Sequence, residues 1–217
     1  MTTLLLAIDI VLAGVAVAVR VPRWAHRRSR PMTIALAAMA VWALIRLPVI
    51  DDSFDRVMQQ STGLPDVPHL VVDLLVVLSA AAMCRHVAQA WGRKRMYPVI
   101  EYTAAGAAIL LGITYAPSGA RGWWSDVHLY VGSAVTLLSA VAVLLTALFA
   151  LRAPATADRW TLTVIVAAAA CGTVAGALRA ESETEGPVST WRVVTGGLTV
   201  ALFAVAALVN HYGRREK

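Results

Sequence analysis

The chain predicts an all-α integral membrane protein: a seven-transmembrane-helix bundle with its N-terminus outside and its C-terminus cytoplasmic. Three observations carry that prediction. Apolar residues make up 59% of the 217 residues, above the ~45–50% usual for soluble domains. They gather into seven stretches, 3–19, 32–50, 69–89, 98–116, 128–151, 161–179 and 191–211, most of them near the ~20 residues that cross a ~30 Å hydrocarbon layer. The loops between them alternate in charge. Fourteen of the nineteen basic residues fall on one side, in the segments around Arg20–Arg30, Arg85–Arg95, Arg152–Arg159 and Arg214–Lys217. The opposite loops hold Asp51, Asp52, Asp55, Asp66, Asp126, Glu181, Glu183 and Glu185. Basic loops stay cytoplasmic, which sets the direction.

Taken in order, 3–19 is a retained helix rather than a cleaved leader. Asp9 interrupts its apolar run and its arginines follow it instead of preceding it. The stretch 32–50 leads into an external loop. There Phe54, Val57 and Met58 share one helical face behind the cap-like Asp51-Asp52-Ser53, which predicts a short interfacial helix ended by Gly63, Pro65 and Pro68. The stretches 69–89 and 98–116 follow. The fifth, 128–151, carries a stripe of His128, Gly132, Thr136, Ser139 and Thr146. The sixth, 161–179, has Ala168, Gly172 and Gly176 at four-residue spacing, and 191–211 has the Gly196-Gly197 pair; both patterns predict close helix contacts. Trp24, Trp91, Tyr97, Trp160 and Tyr212 on one side, and Tyr115, Trp123, Trp124 and Trp191 on the other, fit interfacial belts. The connecting segments are too short to bury a soluble core, so residues 1–217 form one transmembrane domain.

Composition excludes several functions. The net charge of +6 belongs to membrane-flanking loops, so it predicts contact with membrane lipids and anionic head groups and not with nucleic acid. Cys84 and Cys171 differ in depth, which argues against a disulfide. CxxC, HExxH, GxSxG and glycine-rich phosphate loops are absent from the sequence, and the last stretch has no lysine for a retinal Schiff base.

Ionisable groups inside spans are costly and are where function is sought. Asp9, Arg46, His69, Asp73, His128 and Arg179 fall in the outer third. They either hold helices in register or line an outward-facing ligand pocket, with Arg46 expected to pair with Asp9 or Asp73. A second polar group, Glu101 with Tyr102, Arg85 and His86, lies toward the inner side. No metal or cofactor is expected; His69 and His128 are the one pair that a haem iron could use. The block from Pro31 to Ala88 has an alanine- and leucine-rich helix, an arginine near its outer end, a Gly-Leu-Pro-Asp-Val-Pro-His loop and a long apolar helix with an internal acid. It resembles the membrane half of an uncharacterised actinobacterial seven-helix family. That resemblance implies a regulatory role and supplies no catalytic residues. The expectation is therefore a non-enzymatic sensor or partner-regulating module of the bacterial plasma membrane. It would work with a membrane or cytoplasmic protein partner, or as a homo-oligomer. The alternatives are a small transporter or channel, and an intramembrane enzyme or haem carrier.

Overall fold

A computed structural model describes residues 2–24, 29–64, 67–115, 123–152, 159–180 and 187–212. These residues form eight α-helices and no strand: α1 (Thr2–Arg20), α2 (Arg30–Ile45), α3 (Pro48–Thr62), α4 (Val67–Ala90), α5 (Met96–Tyr115), α6 (Trp123–Arg152), α7 (Arg159–Ala180) and α8 (Pro187–Tyr212). A single 3₁₀ turn, Val21–Arg23, follows α1 around Pro22. Among the charges used for orientation, Arg27, Arg28, Asp66, Glu181, Glu183, Glu185, Arg214, Arg215 and Lys217 lie outside the described residues, as do the side chains of Arg23, Trp123, Trp124, Asp126, Arg179 and Tyr212.

Five helices are long and apolar enough to cross a membrane: α1, α4, α5, Tyr130–Arg152 of α6 and Arg159–Leu178 of α7. The number is six if α2 and α3 together make one broken span, and α8 adds a shorter apolar run, Val194–Val209. Several spans of this kind are what a multi-pass membrane protein requires. The predicted stretch 32–50 needs correction. Its helix ends at Ile45, and a new helix starts at Pro48, bent 86° away. Proline is the physical reason. The residue before it is pushed out of the helical region, and Leu47 is extended at φ −65°, ψ 127°. Pro48 then opens α3, a position where its missing N–H costs nothing. A short helix thus follows, but Asp51-Asp52-Ser53 lies inside it instead of capping it, and Ser53 Oγ donates to Val49 O at 2.6 Å. Gly63, at φ +71°, ends α3 with its N–H on Gln59 O. Phe54, Asp55 and Met58 of α3 are half-buried, while Val49 and Val57 are exposed.

Packing joins α1, α2, α4, α6, α7 and α8 into a closed ring, each against the next and α8 back against α1. α5 leans on the outside against α4 and α6, and α3 rests on α4 and α2. The main core lies toward the basic end, where α1, α4, α6 and α8 finish and α2 and α7 begin. It is rich in alanine: Ala16, Ala35, Ala82, Ala147, Ala168, Ala204 and Ala207 are buried beside Met32, Leu36, Met83, Ile165 and Phe203. Small side chains let the helix backbones approach where lipid provides no hydrophobic drive. A smaller cluster of Val77, Leu111 and Val135 joins α4, α5 and α6.

Arg20 ties the basic end together. The sequence places it among the loop charges, yet it is buried. Its Nη1 donates to Ala207 O of α8 at 3.1 Å and its Nε to Thr33 Oγ1 of α2 at 3.4 Å. Tyr115 also departs from the predicted belt. It is buried against α6, whereas Trp24, Trp160 and Trp191 are exposed as belt residues should be.

Candidate functional site

Five of the six outer residues, Arg179 being outside the described side chains, take up distinct places. Asp9 is buried in α1, and its carboxylate lies against α8: a Cβ on Gly197 would stand 2.9 Å from Asp9 Oδ2. That oxygen has no hydrogen-bond partner among the described residues. The carboxylate thus faces α8, whereas the expected pairing placed it beside Arg46 of α2. The missing Cβ of Gly197 is the feature that admits the carboxylate. Arg46 sits at the end of α2, half-buried, where the chain breaks before Pro48. In α4, Asp73 is buried while His69, one turn earlier, is exposed.

His128 belongs to the junction of α5 and α6. Its Nδ1 is 3.1 Å from Thr114 Oγ1, and its ring meets Tyr115 edge-on with centroids 5.4 Å apart. The Thr114 hydroxyl donates to Leu110 O at 2.9 Å. Which partner donates in the contact with His128 follows the ring nitrogen that carries the proton. The inner group resolves into a clasp between α4 and α5: Arg85 pairs with Glu101, and its guanidinium lies 5.0 Å from the Tyr97 ring centroid. Tyr102 faces away at 78% exposure, and His86 is buried on the other side of α4. Such half-exposed pairs contribute about 0–1 kcal/mol, so the clasp holds α5 in place without storing much energy.

The ring of helices leaves a cavity of about 130 Å³. Its wall comes from the middle of five helices: Met39 and Trp42 of α2, Ser79 and Met83 of α4, Thr136, Ser139 and Val143 of α6, Gly172 of α7, and Gly196 and Phe203 of α8. The wall is almost wholly apolar. Thr136 and Thr199 turn their hydroxyls onto Gly132 O and Thr195 O, both at 2.8 Å, and so satisfy them within their own helices. Ser79 differs: it is 4% exposed, and its Oγ has no hydrogen-bond partner among the described residues.

The sequence offered part of this site. Thr136 and Ser139 of the α6 stripe line it, as do Gly172 and Gly196 of the small-residue seams. Trp42, Ser79 and Met83 were missed, because in a helix apolar all round no face is marked as interior. None of Asp9, Arg46, His69, Asp73 and His128 lines the cavity. Among the described residues, no three His, Cys, Asp or Glu gather as a metal site would need. No family model, curated protein or solved structure matches this chain.

Proposed function

We propose that the chain is a seven-span protein of the bacterial plasma membrane that acts by binding and not by catalysis, as a sensor or as a module regulating a partner. In this reading α2 and α8 are spans, α3 lies in the outer interface, the N-terminus is outside and the C-terminus is cytoplasmic. The basic residues on one side support that direction, because positive loops are retained in the cytoplasm. The observation that carries the reading is the cavity held between five helices above a closely packed, alanine-rich end. A conduit would need polar groups at every level. Here the middle offers mainly the hydroxyls of Ser79, Thr136, Ser139 and Thr199, in a wall that is otherwise apolar. The outer groups Asp9, Arg46, Asp73 and His128 would then set the helix positions that a ligand or partner shifts.

Two measurements test this. Alkaline phosphatase fused at the C-terminus should be inactive and a fluorescent protein there should be bright. Protein in liposomes should pass neither ions nor small solutes. Robust flux lost on Glu101→Gln would assign the chain to the transporters instead.

A further inference from the structure

The cavity between α2, α4, α6, α7 and α8 is larger than packing alone explains. Native interiors hold few voids bigger than a water molecule; this half-enclosed pocket of about 130 Å³ approaches the ~150 Å³ of a dry apolar cavity that takes up benzene. Its wall contains Ala80, Ala140, Ala169, Ala175, Gly172 and Gly196, any of which a bulkier residue could replace to close the gap. Water is a poor occupant, since it needs two to four polar partners and the hydroxyls of Thr136 and Thr199 are already spent on their own helices. Two hydroxyls remain, those of Ser79 and Ser139, and of these Ser79 is the buried one. A helical serine usually bonds the carbonyl one turn back, yet Ser79 Oγ is buried in the wall without a hydrogen-bond partner among the described residues.

We propose that this cavity is a mid-membrane binding site for a small uncharged molecule, of benzene to indole size, that carries one hydroxyl, and that Ser79 is the side chain that bonds it. Trp42 supplies an aromatic face and Met83 an adaptable one. Ionic and strongly polar ligands are rejected, because nothing in the wall repays their desolvation. The proposal rests on the binding-module reading above and adds the ligand class to it.

The test uses the full chain in lipid nanodiscs, titrated with 4-fluorophenol and with fluorobenzene and followed by ¹⁹F NMR against empty nanodiscs. 4-Fluorophenol should bind saturably and more tightly than fluorobenzene. Ser79→Ala should weaken 4-fluorophenol about fivefold, the worth of one hydrogen bond, and leave fluorobenzene unchanged. Ala140→Leu should abolish both signals by filling the cavity. Gly196→Ala, whose Cβ would meet the Trp42 ring at an ordinary 3.7 Å, should weaken both while the protein still folds. Three results overturn the proposal: no saturable signal beyond empty nanodiscs, equal binding of both probes with no effect of Ser79→Ala, or binding that persists in Ala140→Leu, as it would at a lipid-facing surface. Flux in liposomes would instead defeat the binding-module reading, and does so independently of these titrations.

Discussion

Gly176 and Gly112 look alike in the sequence, each a glycine inside an apolar helix, and the structure separates them. A Cβ on Gly176 would stand 2.9 Å from Leu137 Cα and 3.1 Å from Leu137 N, backbone atoms of α6 that cannot turn aside. A Cβ on Gly112 meets nothing within 4 Å. Gly176→Ala should therefore force α6 and α7 apart and destabilise by about 1–3 kcal/mol. Gly112→Ala should be neutral or stabilising by up to about 1 kcal/mol, the helix-propensity difference. Melting temperatures of the two variants in one detergent check this directly. Asp9 and Arg20 make a second contrast. The Asp9 carboxylate has a buried oxygen without a partner, so Asp9→Asn should leave the melting temperature unchanged or raise it, since less desolvation is left unrepaid. Arg20 donates to two other helices. Arg20→Leu should cost about 1.5–3 kcal/mol, the range for hydrogen bonds made by charged groups. If the Asp9 variant falls as far as the Arg20 variant, the placement of Asp9 against Gly197 is wrong.

Among the elements, α5 stands apart. It packs on the outer side of α4 and α6, most of its residues are exposed, and its polar ties are the Arg85–Glu101 pair and the Thr114–His128 contact. Weakly packed elements open most readily. Hydrogen exchange in detergent should accordingly show α5 exchanging ahead of the ring helices α2, α4 and α7. Glu101→Gln should speed α5 further while lowering global stability by less than about 1 kcal/mol. An unchanged exchange rate in α5 would mean that the clasp does not hold it. The division between α2 and α3 shows how much of an element boundary can be read in advance. Pro48 and the amphipathic run around Phe54 both signal the change of direction. The apolar residues Val49 and Ile50 lengthen the first stretch by composition alone, and their exposure shows that they belong to α3. Apolar character reports where a chain can sit in a membrane, and the backbone constraint at Leu47–Pro48 decides where a helix stops.

For the whole molecule, the charge pattern has a consequence at the basic end. Arg93, Lys94 and Arg95 are exposed between α4 and α5, where anionic head groups would meet them at about 1 kcal/mol each. Thermal stability in nanodiscs should rise with the fraction of anionic lipid, and the triple change Arg93→Gln, Lys94→Gln and Arg95→Gln should flatten that dependence. The all-helical class, the positions of most helices and the asymmetry of charge follow from the sequence itself. They depend on local quantities: how many apolar residues run together, and which charges flank them. What only the tertiary structure decided is which helices touch. The closed ring, α5 outside it, Asp9 against Gly197, Arg20 across three helices and the Ser79 cavity all depend on side chains brought together from distant parts of the chain. In helices that are apolar on every face, no periodicity marks the side that turns inward, so those meetings have no local signal to read.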